Sequence, residues 1–132
     1  VERSRGLGDV YKRQPKDAII LPIHYELGSA KLTSKSTRII DKHILSRLKQ
    51  HPNAVIEVGS HTDSRGGEAF NKNLSERRSK AVVEYLNKKG IKTSRLIAVG
   101  YGESKLLNDC KDGVSCSENQ HAKNRRTEFK FF

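Results

Sequence analysis

The chain has 132 residues, the length of one ordinary globular domain and too short for two domains with separate cores. It carries 26 basic and 15 acidic residues, a net charge of +11, and the presence of both signs indicates a mixed charged surface rather than a polycation. No apolar run approaches the length of about 18 residues that a transmembrane helix needs, which excludes such a span within this sequence.

Residues 1–14 differ from the rest of the chain. They show neither the two-residue period of a strand nor the 3.6-residue period of a helix, and they contain four basic and two acidic residues. Val1 stands where an initiator methionine would be, and no apolar signal follows it, so we expect that a native N-terminus is missing. We interpret residues 1–14 as a leader or linker outside the native structure, and residues 15–132 as the domain.

The first predicted elements are a strand and a helix. Residues 18–25 (AIILPIHY) are apolar and β-branched. Pro22 cannot donate a ladder hydrogen bond, which predicts that this strand lies at or near a sheet edge. Residues 34–50 place apolar side chains at helical spacing behind a capping residue, Thr33 or Ser34, and predict a helix.

The next strand is predicted in the sheet interior, because residues 54–59 (AVIEVG) are almost all apolar. It leads into SHTDSRGG, a polar turn of the kind that carries binding sites. The remaining predictions are a helix over 68–89 capped by Gly90, a strand over 96–99, an irregular polar stretch over 108–123 and a final strand over 126–132. The order β-α-β-α-β-β predicts an α+β fold: a mixed sheet of about four strands, the first three parallel, with the helices packed on one face.

Judged from the sequence pattern alone, Arg78 is the most informative residue. In the predicted helix over 68–89 it falls on the apolar stripe between Leu74 and Val82, and a guanidinium removed from water needs an anion. Asp63, at the end of the preceding strand, is the candidate within the chain. Two interpretations stay open: a structural Asp63–Arg78 salt bridge, or two charges that face one small ligand carrying both signs.

Four short motifs connect the sequence to a known family. H-T-D-x-x-G begins at His61, N-x-x-L-S-x-x-R at Asn71, G-x-G-E at Gly100 and N-R-R at Asn124. In this order and spacing they resemble the OmpA-like C-terminal domain over about residues 17–132. That domain is the peptidoglycan-binding module shared by OmpA-type outer-membrane proteins, the lipoprotein Pal and the motor protein MotB. The insert CKDGVSCSENQHAKNRRTEF is similar to the version found in Bacteroidetes members.

The resemblance implies a pocket for the diamino acid of the peptidoglycan stem peptide, usually meso-diaminopimelate. Asp63 would receive its ammonium, and Arg78 would receive the carboxylate on the same carbon through its planar, two-pronged donor. Thr62 shares the motif of Asp63 and is assigned to the same pocket. Asn71 would bond the ligand or the pocket backbone, with a helix N-cap as the alternative.

Two further positions follow from the family pattern. The family usually closes its first strand with Phe-Asp, where this chain has Tyr25-Glu26, so Glu26 is expected at the pocket with a longer side chain. Of Arg125 and Arg126, one is expected to brace the pocket, and Arg126 is assigned to it. An ordinary charge flanking a strand is the alternative for this pair.

The implied function is a non-catalytic tether on the periplasmic face of the outer membrane. Its partner would be peptidoglycan, and a missing N-terminal region would attach it to the membrane; no cofactor or metal is expected. Because that compartment is oxidising, Cys110 and Cys116 are expected to form a disulfide, and neither has further cysteines or histidines at zinc-ligand spacing.

Other function classes are weaker candidates. No G-x-S-x-G nucleophile motif is present, and Gly100 begins a motif that lacks the third glycine of a dinucleotide site, so an enzyme is not expected. The alternative is a basic nucleic-acid-binding or general protein-interaction domain, suggested by the net charge. The sequence leaves open whether the domain oligomerises and which diamino acid its cognate wall carries.

Overall fold

The computed structural model describes residues 14–26 and 28–132, so the predicted leader lies outside the described residues except for Gln14. The elements in chain order are β1 (Asp17–Leu21), α1 (Ser34–Ile40, continued by the π-helical turn Asp41–Leu45 and by Ser46–Gln50), β2 (Ile56–His61), α2 (Glu68–Lys88), a 3-10 turn (Thr93–Arg95), β3 (Leu96–Gly102), α3 (Glu118–Ala122) and β4 (Arg126–Phe131). Within these described ranges, no helix has the length and apolar character needed to cross a bilayer.

The four strands form one mixed sheet in the order β1-β4-β2-β3. β2 and β3 are parallel, whereas β4 is antiparallel to both β1 and β2. β1, β2 and β3 therefore run in the same direction, as predicted, although β4 separates β1 from β2. The edge position of β1 and the interior position of β2 are also confirmed, as is the α+β class.

The hydrophobic core lies between one face of the sheet and the two long helices. Alternate side chains of the strands point to this face, and each fully buried one contributes about 1.5–3 kcal/mol. The buried core residues are Ile40, Ile44, Leu45 and Leu48 of α1, Ile56 and Val58 of β2, Val82 and Leu86 of α2, Leu96 of β3, and Phe129 and Phe131 of β4, with Ile23 and Ile91 from the connections. Both helices therefore pack on one face, as expected.

The opposite face of the sheet carries a polar network. The Tyr101 hydroxyl donates to the Glu57 carboxylate over 2.7 Å, and the Lys130 ammonium lies 3.7 Å from the same carboxylate. His61 stacks on Tyr101 with ring centroids 4.7 Å apart. Burial lowers the pKa of His61 to about 4, so its imidazole is neutral at physiological pH and serves as a packing group.

The strand predicted over 18–25 is shorter in the structure. β1 ends at Leu21 because Pro22 interrupts the ladder, and Tyr25 instead makes an isolated bridge with Leu32. The stretch expected to be irregular over 108–123 contains α3. A capping box, in which Ser117 and Gln120 bond each other's backbone amides, starts this short helix.

Candidate functional site

The turn after β2 places Asp63 at the carboxyl end of the strand, at a position that is 6% exposed. The Thr62 backbone amide donates to the Gly102 carbonyl at the end of β3, and the Thr62 hydroxyl donates to the Asp63 carbonyl. The hydroxyl of Thr62 thus acts within the turn, whose backbone is fixed against the neighbouring strand.

Asp63 is paired with two arginines. Its Oδ1 accepts from the Arg65 backbone amide at 2.9 Å, and its Oδ2 accepts from Arg65 Nη2 and Arg125 Nη1, both at 2.8 Å. Burial by itself would raise the pKa of Asp63, but these hydrogen bonds outweigh it and lower the pKa to about 2. The interpretation as an Asp63–Arg78 salt bridge is therefore wrong: within the described chain, the ion pairs of Asp63 are with Arg65 and Arg125.

Arg78 lies half-buried on α2, at the margin of the stripe that faces the core. Its Nε donates to the Ser29 carbonyl at 3.0 Å, and its guanidinium lies over the Tyr25 ring at 4.8 Å. Burial lowers the pKa of this guanidinium below its usual range, although the group stays charged. Among residues 14–26 and 28–132, no carboxylate lies within ion-pair distance of Arg78, so its two Nη groups are available to a ligand.

A cavity of about 730 Å³ opens beside Arg78. One wall is apolar and includes Ile20 and Leu107, which are both more than half exposed. The basic residues on its lining are Arg78, Lys123, Arg125 and Arg126. This lining suits a ligand with a carboxylate, because guanidinium groups donate paired, charge-assisted hydrogen bonds to such groups.

Asn71 positions the backbone of the turn that carries Asp63. Its buried amide donates to the carbonyls of Asp63 at 3.2 Å and Arg65 at 2.9 Å, and to Glu103 Oε1 at 3.1 Å. The alternative role as a helix N-cap is wrong, because the N-cap of α2 is Gly67. Of the two contacts expected for Asn71, the one to the pocket backbone is present.

Within the described residues, neither Glu26 nor Arg126 bonds the Asp63 carboxylate. The Glu26 side chain is exposed, lies 3.8 Å from the Lys31 ammonium and does not line the cavity. Arg126 lines the cavity, but its guanidinium bonds the Glu128 carboxylate and the Lys105 carbonyl. Arg125, the other arginine of the motif, is the one that contacts Asp63.

Sequence reasoning missed Arg65 and Glu118, which complete the environment of Asp63. Glu118 accepts from Arg65 Nη1 at 2.9 Å and from Arg125 Nη2 at 2.7 Å, so each arginine bridges two carboxylates. The sequence signal for Glu118 was the capping residue Ser117, which fixes where α3 begins.

The predicted disulfide between Cys110 and Cys116 is present, with a Cα–Cα distance of 6.0 Å. It closes the loop that precedes Glu118. The Ser64 hydroxyl donates to the Cys110 carbonyl, which joins this loop to the Asp63 turn. Asn124 of the N-R-R motif is fully buried and bonds the Leu107 amide, so it anchors the other end of the loop.

Acid should lower the free energy of unfolding of the domain by the contribution of ionised Asp63. The pKa of Asp63 falls from its ordinary 3.8 to about 2 on folding, so its ionised form contributes about 2 kcal/mol at neutral pH. This contribution is complete above about pH 4 and should be lost as the pH falls toward 2. Urea unfolding measures the free energy of unfolding of the wild type and of Asp63→Asn across this range. The difference between the two free energies should shrink as the pH falls. A difference independent of pH would contradict the assignment.

Comparison with known proteins places the chain among relatives. The OmpA family profile matches residues 24–120. Outer membrane porin F of Pseudomonas aeruginosa is 37% identical over 109 residues, which are 82% of this chain and 29% of the porin. The peptidoglycan-associated lipoprotein of Pseudomonas putida is 35% identical over 111 residues, which are 84% of this chain and 63% of the lipoprotein.

The fold is shared with solved structures. The crystal structure of the peptidoglycan-associated lipoprotein from Burkholderia pseudomallei superposes with a TM-score of 0.69 at 24% identity, covering 89% of this chain and 91% of that one. The chain spans only 25% and 29% of two porin F relatives, from Pseudomonas fluorescens and P. aeruginosa. Because the family profile matches residues 24–120, most of its length, the chain belongs to the OmpA family.

Proposed function

We propose that this domain binds peptidoglycan without catalysis, through the diaminopimelate of the stem peptide, and so anchors the outer membrane to the cell wall. The peptidoglycan-associated lipoproteins among its relatives support the choice of polymer. In this proposal the domain lies on the periplasmic side of the outer membrane and is attached to it through a region outside this sequence.

The observation that carries the proposal is the guanidinium of Arg78. It is half-buried, it opens onto a cavity, and its protein contacts within the described residues are a carbonyl and an aromatic ring rather than a carboxylate. Leaving a desolvated charge without an anion is unfavourable, and a ligand carboxylate would remove that cost. Arginine is suited to the task because its planar fork donates two parallel hydrogen bonds.

Asp63 supplies the opposite charge that a zwitterionic ligand requires. It stays ionised at all physiological pH values, since its pKa is about 2, and Asn71 and Thr62 fix its backbone. The free end of diaminopimelate carries an ammonium and a carboxylate on one carbon. A fixed anion and a fixed cation would favour this end over side chains that carry a single charge.

A pocket of this kind would bind weakly by itself. A few charge-assisted hydrogen bonds of about 1.5–3 kcal/mol each are opposed by the loss of translational and rotational freedom on association. Durable attachment would follow from many copies on one polymer, because each bound domain raises the effective concentration of the others.

Stem peptides that differ in one carboxylate test the proposal. A peptide with meso-diaminopimelate should bind at least about tenfold more tightly than the same peptide with lysine, a difference of about 1.4 kcal/mol. The lysine peptide lacks the carboxylate and would leave Arg78 without its anion. Titration calorimetry of both peptides measures the ratio.

The contrary results of this experiment are specific. Equal affinity for the two peptides would rule out the role of Arg78 in recognising a carboxylate. No binding of either peptide, by protein that melts cooperatively, would contradict the proposed function as a whole. Release of soluble fragments from purified sacculi would indicate a hydrolase instead.

A further inference from the structure

Both carboxylate oxygens of Asp63 already accept hydrogen bonds. Oδ1 bonds the Arg65 backbone amide, and Oδ2 bonds both guanidinium groups, while the side chain of Asp63 is only 8% exposed. Arg125 lines the cavity beside Arg78, whereas neither Asp63 nor Arg65 does. A ligand held at Arg78 would therefore reach Asp63 from the side that the Arg125 guanidinium now covers.

Arg125 has a second carboxylate within reach. Its Nη2 bonds Glu118 Oε1 at 2.7 Å while its Nη1 bonds Asp63 at 2.8 Å. The two bonds use different nitrogens of one planar group, so Arg125 can leave Asp63 without losing its contact to Glu118. Its side chain is 38% exposed, which leaves space for this movement.

Glu118 is held in place by the chain around it. It is the first residue of α3, directly after the capping residue Ser117, and it follows the disulfide-closed loop by two positions. The Ser64 hydroxyl ties the Cys110 carbonyl of that loop to the Asp63 turn. The two carboxylates that share Arg125 are thus kept at a fixed separation.

We infer that Arg125 is a specificity-determining residue that occupies the ligand's ammonium position on Asp63 and, when the ligand binds, leaves Asp63 while keeping its bond to Glu118. This inference rests on the proposed function. The ligand ammonium replaces one positive donor on Asp63 by another, so the buried carboxylate is never left without a cation. A ligand that offers only a carboxylate, or a neutral group at this place, cannot make the exchange and leaves Arg125 where it is.

The exchange predicts that a substitution in the binding site strengthens ligand binding instead of weakening it. Arg125→Gln removes the competitor, so the stem peptide with meso-diaminopimelate should bind about threefold more tightly, the effect of one half-exposed ion pair. The same peptide acetylated on the diaminopimelate amine should gain nothing, because it has no ammonium to place on Asp63. Lys49→Gln is the control, because it removes one positive charge, as Arg125→Gln does, from an exposed position on α1. It should alter the affinity for neither peptide.

Glu118→Gln tests the receiving carboxylate. It should weaken binding of the free-amine peptide about threefold, because the displaced Arg125 loses its partner. That loss should be absent when Glu118→Gln is made in the Arg125→Gln background. A loss that persists undiminished in the double variant would overturn the assignment of Glu118 as the acceptor of Arg125.

The outcomes separate this inference from the function on which it rests. If the wild type binds neither peptide, the proposed function fails. If the wild type binds the free-amine peptide and Arg125→Gln binds it equally or more weakly, the exchange is wrong and the function stands. Should Arg125→Gln melt early, Glu118→Gln, whose side chain is 63% exposed in the wild type, still decides: equal losses for both peptides would contradict the exchange.

Discussion

Arg78→Ala should weaken binding of the diaminopimelate stem peptide about a hundredfold, because removing one partner of a desolvated charge pair costs about 2–5 kcal/mol. Arg78→Lys keeps the charge but replaces a two-pronged donor by a point charge, and should bind at least about tenfold more weakly. Both variants should fold, since among the described residues the side chain of Arg78 contacts only the Ser29 carbonyl and the Tyr25 ring. Calorimetric titration and thermal melts measure the two effects separately.

Lys80→Ala is the matched control for this experiment. It removes a positive charge from an exposed position of the same helix, two residues from Arg78, and should leave binding nearly unchanged. Wild-type affinity in a well-folded Arg78→Ala protein would remove Arg78 from the site. A collapse of the thermal transition would assign it to the fold instead.

Gly100→Ala should destabilise the domain by about 3 kcal/mol or more, at the upper end of the range for overpacking. A Cβ at Gly100 would lie 2.3 Å from the Glu76 backbone nitrogen and 2.6 Å from its Cα. These atoms belong to the backbone of α2, which can yield only by moving away from the sheet. Urea unfolding of the variant measures the loss.

Gly59→Ala provides the comparison. Its Cβ would meet the Tyr101 ring at 2.8 Å, but this contact is with a side chain, which can rotate. The expected destabilisation is therefore clearly smaller than at Gly100. Equal stability losses at the two glycines would show that close packing of α2 on β3 is not what requires Gly100.

The local elements of the fold could be predicted because their signals are local. Helical spacing and a capping residue place α1 at 34–50, and the apolar run before the polar turn identifies β2 as interior. The insertion of β4 between β1 and β2 could not be predicted in this way, because strand order depends on pairing between distant segments. The family resemblance is confirmed by the OmpA family match over residues 24–120.

The site was predictable in its charges but not in their pairing. Asp63 and Arg78 stand in short motifs and could be identified as a candidate anion and cation. The actual partner of Asp63 on the cavity side, Arg125, lies 62 residues further along the chain. The folded loop that ends at Glu118 brings Asp63 and Arg125 together. Sequence periodicity predicts helices and strands but not a contact between residues so far apart in the chain.

The interior position of β4 affects how the domain folds. Until β4 is in place, β1 and β2 are segments whose facing edges are unpaired, and such edges favour aggregation. Residues 126–131 must arrive before either edge is satisfied. The pairing of Asp17 with Phe131 joins residues more than a hundred positions apart in the chain. Folding that requires such distant pairing is slow compared with that of a helical bundle. Folding of the domain therefore depends on a late, cooperative step in which β4 pairs with both neighbours, and truncation within β4 would leave a chain that cannot complete its sheet.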